Sequence, residues 1–370
     1  MRLQKPNRLV VVFCFLLLSH ALAIAATHQQ AATARAGKVV EIKVPAPSVK
    51  ANLIGAQPEL AVSVYLPPGY DSAPETRYPT IYLLHGFLSN NKVWFTNVFQ
   101  GMNLQTTMDS MIAADKIREM IIVAPSTFIP VFGGSFYANS AVNGNWEDAI
   151  YRDLVQYIDA NYRTIASSNS RGIAGHSMGG YGALVLGMKH PEVFSVIYAL
   201  SPCCTTLDAD MSANNPAWQK VLGLTSLDQL KVRPQSPEDF FTIAFMATGA
   251  ALSPNPAAPL KVDLPFRLSG NSVEKNPAVY QAWQSRMPAY MVNDHKQDLL
   301  KLRGLFIDYG EKEQFTHIVL GAQQFSRALA EQNIPHIFEV YPKGDHGSRL
   351  RERFETRLLQ FFSEKLEPAK

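Results

Sequence analysis

Between Arg171 and His190 the chain reads RGIAGHSMGGYGALVLGMKH. A short β-type run enters a turn with glycine two places before and two places after a serine. The turn opens directly into a stretch of small and apolar residues. That order admits few folds, because a strand feeding a helix without a linker belongs to a parallel sheet whose strands return through crossover helices. The turn is also chemically specific. A serine on a strand-to-helix elbow sits in a strained conformation that lifts Oγ above the sheet edge, and side chains at 175 or 179 would clash with it. The helix starting at Met178 aims free N–H groups at any charge developing beside the serine. Ser177 is therefore expected to be a nucleophile.

The rest of the chain repeats the alternation. β-type runs are read at 38–45, 60–67, 80–86, 120–125, 171–175, 193–201, 302–308 and 336–342, bounded by Pro, Gly or Asn signals. Helical spacing marks 146–162, 178–190, 316–333 and 349–365. A mostly parallel central sheet flanked by helices is expected. Residues 205–300 break the rhythm, with short helices read in NPAWQKVLG, PEDFFTIAFMATGAA and PAVYQAWQSRM. An insertion of this length before the next strand is expected to form a cap or pocket wall. Its run of Phe240, Phe241, Phe245 and Met246 suits either a wall or a seat on the sheet.

At the N-terminus Arg2, Lys5 and Arg8 precede LVVVFCFLLL, and the small-residue stretch ALAIAA follows. Residues 1–25 thus read as a secretory signal peptide, cleaved after Ala23, Ala25 or Ala26, and 26–37 as a flexible leader to a domain over 38–366. The product is expected to be periplasmic or secreted. Those three cations account for the whole formal charge of +3, so the remainder is balanced and offers no basic patch for nucleic acid. No later segment is apolar for long enough to predict stable membrane insertion after cleavage. Cys14 leaves with the signal. Cys203 and Cys204 are neighbours, too close along the chain for ordinary disulfide geometry.

A serine hydroxyl needs a base and a group that orients the base. Of nine histidines only His346, in YPKGDHG, follows the last strand. His317 and His336 fall on a helix and at a strand start and are read as structural; His85 is read as shaping the loop after YLLHGF. Two carboxylates compete for the orienting role. Glu313, beyond the Gly310 turn, is favoured, and Asp308 at the strand end is the alternative. The N–H groups of Phe87 and Met178 are expected to form an oxyanion hole. Tyr137 and Trp146 fit core or pocket equally, and Asn143 and Asn145 are candidates for shaping the pocket. No H-E-x-x-H, paired-Cys or clustered His/Asp pattern predicts a metal, and no G-x-G-x-x-G follows a strand, so no cofactor is expected.

Taken together, YLPPGY (65–70), YLLHGF (82–87), GGSFYANS (133–140), NGNWEDAIYRDLVQYID, YRT (162–164), GIAGHSMGGYGAL (172–184), HPEVFS (190–195) and IDYG (307–310) resemble the esterase D-like α/β-hydrolases. That group includes S-formylglutathione hydrolases, enterochelin-esterase-like and feruloyl esterases, and the antigen 85 mycolyltransferases. The resemblance spans about 38–366. It implies the α/β-hydrolase fold, Ser177 as nucleophile, His346 as base, Glu313 as acid, and the Phe87 and Met178 N–H groups as the hole. The chain departs from the group at the acid, where Asp is commoner, and in the 205–300 insertion. The expected activity is that of an exported serine carboxylic-ester hydrolase, acting through an acyl-enzyme on a small-molecule or polymer-attached ester. An acyltransferase of the antigen 85 type would use the same triad. A non-catalytic binding protein on the same scaffold is the third reading.

Overall fold

The structure, a computed structural model, describes residues 36–99, 101–230 and 232–369. The expected signal peptide with Cys14, and all but the last two residues of the expected leader, lie outside the described residues. Eight strands form one sheet: β1 (Lys38–Pro45), β2 (Glu59–Leu66), β3 (Thr80–Leu84), β4 (Ile121–Pro125), β5 (Arg171–His176), β6 (Val196–Leu200), β7 (Gly304–Gly310) and β8 (Ile337–Tyr341). Their spatial order is β1-β2-β4-β3-β5-β6-β7-β8. β2 runs antiparallel to both β1 and β4, and every pairing from β4 to β8 is parallel. This is the α/β-hydrolase fold.

Helices cover both faces. They are α1 (Leu104–Ala113); α2, which joins Trp146–Asp148, a π-helical turn Ala149–Leu154 and Val155–Asn161; α3 (Met178–Lys189); α4 (Pro237–Leu252); and α5 (Thr316–Glu331). The last, α6, joins Leu350–Arg353, a π-helical turn Phe354–Leu358 and Leu359–Lys365. Successive strand residues point to opposite faces. Ile173, Ile197 and Ile307 accordingly pack with α2, α3 and α5, whereas Ala174, Tyr198 and Phe306 pack with α1 and α6.

Two differences from the sequence reading bear on the site. β7 continues to Gly310, two residues past the expected end, so Asp308 lies inside the strand. Between β6 and β7 the three expected helices form, over Ala217–Leu222, Pro237–Leu252 and Pro277–Gln284. They are joined by an unanticipated hairpin, Phe266–Ser269 with Ser272–Lys275. Helix α1 was also missed: polar Thr106, Thr107, Asp109 and Ser110 dilute its apolar face, although Asn103 caps it by accepting from the Thr106 N–H at 3.2 Å.

Candidate active site

The elbow is set by backbone crowding. Ser177 has φ +58° and ψ −116°, outside helical and strand space, and its N–H donates to the Leu200 carbonyl of β6 at 3.0 Å. A Cβ at Gly175 would overlap the Gly179 carbonyl, and one at Gly179 would overlap the Leu84 carbonyl at the end of β3. Glycine at both places is what lets the turn nest between β3 and β6. Met178 opens α3, so its N–H has no partner within the helix.

The loops after β7 and β8 are stitched together. The Lys312 N–H donates to the Gly344 carbonyl at 2.7 Å, and the Glu311 N–H to the Tyr341 carbonyl at 2.9 Å. A turn from Gly310 to Glu313, closed at 2.9 Å, sends the Glu313 side chain inward. Its buried carboxylate accepts from His346 Nδ1 at 2.9 Å through Oε2, and from the Phe315 N–H at 3.2 Å through Oε1. Because the carboxylate accepts, Nδ1 carries the ring proton and Nε2 is left as the acceptor.

His176, the residue before the serine, holds the other side of the same loop. Its Nε2–H donates to the His346 carbonyl at 2.6 Å, and the two rings lie 4.6 Å apart. Burial, reinforced by the neighbouring His346 ring, pushes the His176 imidazole down to about 3, so it stays neutral. Sequence reasoning missed this tie; the only signal was the residue's place inside the G-x-S-x-G motif.

Asp308 does not join them. Its side chain leaves β7 on the α6 side of the sheet, where Oδ2 accepts from the Tyr198 hydroxyl at 2.6 Å and from Arg353 Nη2 and Nε at 2.6 and 2.9 Å. Arg353 also reaches both oxygens of Glu339, at 3.0 and 3.1 Å. Burial pushes the Asp308 carboxyl up to about 6, against the downward pull of the guanidinium.

The loop after β3 is fixed through His85. The Thr127 N–H donates to His85 Nε2 at 2.9 Å, which forces the ring proton onto Nδ1, and that N–H donates to the Gly86 carbonyl at 2.8 Å. Burial pulls the buried imidazole down to about 4 and keeps it in this neutral form. In a trans peptide the carbonyl and the following N–H point opposite ways. Anchoring the Gly86 carbonyl therefore fixes the direction of the Phe87 N–H. Tyr137 braces the same loop, its hydroxyl donating to the His85 carbonyl at 2.8 Å. Tyr137, Asn143 and Trp146 are buried in the core outside the pocket, and Trp146 Nε1–H donates to the Asn143 carbonyl at 2.8 Å.

A small pocket of ≈ 30 Å³ opens at Ser177, walled by Phe87, Phe136, Phe315, the free thiols Cys203 and Cys204, and one face of α4. That face supplies Phe240, Phe241, Ala244 and Thr248. Phe245 instead stacks on Trp218 with ring centroids 3.8 Å apart, and Met246 lies in the core. The apolar run thus divides between wall and seat. His317, expected to be structural, also lines the pocket and bonds Asp210 Oδ2 through Nδ1 at 3.0 Å. Against the upward pull of burial, bonds from His317 and Thr316 bring Asp210 down to about 2. His336 lies between Ser326 and the Ile334 carbonyl, away from the site. Among the described residues no group of three or more His, Cys, Asp or Glu side chains could hold a metal ion. No helix among them is long and apolar enough to cross a membrane.

Comparison with known proteins shows the family to which the chain belongs. Among curated proteins, an endo-1,4-beta-xylanase/feruloyl esterase of Xylanibacter ruminicola is 32% identical over 139 residues, 36% of this chain and 18% of that protein. An esterase of Mycobacterium tuberculosis is 33% identical over 145 residues, 38% of this chain and 28% of its own length. The match thus spans well under a third of each of these curated relatives. Among solved structures, a ferulic acid esterase superposes with TM-score 0.60 at 22% identity, covering 90% of this chain and all of the other. An S-formylglutathione hydrolase from Agrobacterium tumefaciens gives TM-score 0.56 at 18% identity, covering 90% and 95%. The family model for esterases ("Putative esterase") matches residues 56–362, most of the chain, and the protein belongs to that family.

Proposed function

We propose that the protein is an exported serine esterase that hydrolyses a carboxylic acid ester through an acyl-enzyme. The observation that carries this reading is the 2.9 Å bond between Glu313 and His346 Nδ1, in a loop tied by His176 to the strained elbow of Ser177. Glu313 fixes the tautomer that leaves His346 Nε2 free to take a proton. Ser177 Oγ attacks the ester carbonyl and passes its proton to His346. The carbonyl oxygen becomes an oxyanion facing the N–H groups of Phe87 and Met178. Collapse of the tetrahedral intermediate breaks the bond to the alcohol, which leaves with the proton from His346. Water, deprotonated by the same imidazole, then frees the acid and regenerates Ser177. The aromatic pocket, five of whose lining residues come from the 205–300 insertion, receives the acyl group and excludes water from it. The alcohol, free or attached to a polymer, lies on the solvent side. The basic–apolar–small pattern of residues 1–25 supports export to the periplasm or beyond.

The test is Ser177→Ala in the mature protein. Loss of the hydroxyl is expected to abolish labelling by a fluorophosphonate and to lower kcat on an activated ester by about 10⁴–10⁶-fold. A folded variant with wild-type kcat would exclude the serine mechanism.

A further inference from the structure

Phe241 stands between two spaces. It lines the ≈ 30 Å³ pocket at Ser177 and also an open cavity of ≈ 610 Å³ whose other walls include Asp210, Asn215, Pro216 and Glu238. A second bridge crosses the same boundary. His317 lines the inner pocket, Asp210 lines the outer cavity, and Asp210 Oδ2 accepts from both the His317 backbone N–H and Nδ1, at 3.1 and 3.0 Å. The partition is therefore one side chain thick at Phe241 and braced beside it by a hydrogen-bonded pair, a buried His317 and a half-buried Asp210. The ring is held in place by its neighbours, with centroids of Phe240, Phe315 and His317 at 5.6, 6.1 and 6.2 Å.

The inner pocket is only about a twentieth of the outer cavity in volume. An acyl group on Ser177 Oγ fits there only if it is short, and one that extends further meets the Phe241 ring. We infer that Phe241 is the end wall that limits acyl length, so that the protein takes esters of short carboxylic acids; the inference rests on the serine esterase reading above. Its position on α4 explains why the limit is set from the insertion and not from the strand-end loops. The triad offers no selection among acyl groups, and a wall facing a much larger cavity does.

The experiment compares kcat/KM for p-nitrophenyl acetate, butyrate and octanoate in the wild type, Phe241→Ala and Phe241→Trp. The readout is the octanoate-to-acetate ratio, not the absolute rate. Joining the two spaces is expected to raise that ratio by about tenfold or more in Phe241→Ala, and the larger indole to lower it, since methylene-sized changes in a pocket carry discrimination of this order. Fluorophosphonate labelling of Ser177 and far-UV circular dichroism report whether each variant has an intact site. If Phe241→Ala does not fold, Phe241→Leu carries the same expectation with a smaller change. An unmoved ratio in a folded, labelled variant overturns the wall. A wild type whose Ser177 is never labelled overturns the serine reading and the wall with it.

Discussion

Asp308 and Glu313 stand five residues apart, one inside β7 and one just past its end, and both carboxylates are fully buried. Asp308 points to the α6 side and spends its charge on Arg353 and Tyr198. Glu313, carried over the sheet edge by the Gly310 turn, spends its charge on His346. Burial and residue type do not separate them. What separates them is that a strand residue is committed to one face by the pleat, whereas a residue beyond a turn can reach across the end of the sheet. Close packing fixes the second case: a Cβ at Gly310 would overlap the Gly344 carbonyl, so the acid loop and the base loop approach at backbone contact.

The largest effect expected from this difference is catalytic. Glu313→Gln keeps the shape but leaves His346 Nδ1 without a carboxylate, and kcat is expected to fall by about 10⁴, the loss seen when the orienting acid of a serine protease is made an amide. Asp308→Asn, in folded protein, is expected to leave kcat within about tenfold, as for a group that never touches the reacting atoms. Steady-state kinetics on one activated ester decides it. If Asp308→Asn proves the more crippling, the acid has been assigned to the wrong one of the two.

Next comes stability, on the other side of the comparison. Arg353 has an almost fully buried side chain and is the only cation bonded to Asp308 among the described residues. Arg353→Met would strand a buried carboxylate, and breaking one partner of such a pair costs about 3–5 kcal/mol. Denaturant unfolding is expected to show that loss, with kcat of the folded fraction unchanged. A variant as stable as the wild type would mean that Asp308 is served by Tyr198 alone.

How much of this was legible in the sequence follows from which contacts are local. The elbow is local: Gly175, Ser177 and Gly179 are needed by crowding within one turn, and the residues themselves announce it. His346 was legible by position, as the sole histidine after the last strand. The sequence favours Glu313 over Asp308 without deciding between them, because the choice depends on where β7 stops. The strand runs two residues further than the apolar run LRGLFID suggests, paired to β8 as far as Gly310↔Tyr341. Arg353 comes from α6, 45 residues further on, and nothing near Asp308 in sequence points to it. A histidine on a helix, as His317 is, reads as structural in the sequence, yet the first turn of α5 faces the pocket. Phe240 and Phe241 part from Phe245 and Met246 only when the orientation of α4 is known. Export rests on residues 1–25 alone.

The smallest effect is a difference in pH dependence, and its sign tells the two clusters apart. Asp308 is raised from 3.8 to about 6, mainly by burial, so the fold binds that proton more tightly than the unfolded chain does. Its contribution to stability is fully present below about pH 3.8 and is lost as the pH rises through 6. His85 is displaced the other way, from 6.5 down to about 4 by burial, so the unfolded chain binds its proton more tightly. That contribution is present above pH 6.5 and is lost as the pH falls through 4. Each displacement corresponds to about 3 kcal/mol at most across its window. Between pH 4 and 7 the two slopes oppose each other, so the wild-type curve alone does not reveal them. Variants do. The stability of the wild type relative to Asp308→Asn is expected to decline as the pH rises from 4 to 7, because the amide cannot lose a proton. Relative to His85→Gln it is expected to increase over the same range, because the glutamine has no proton to gain when unfolded. Urea titrations at pH 4, 5, 6 and 7 measure both. Parallel slopes for the two variants would mean that the buried groups at the β3 loop and under α6 do not differ in the way their hydrogen bonds indicate.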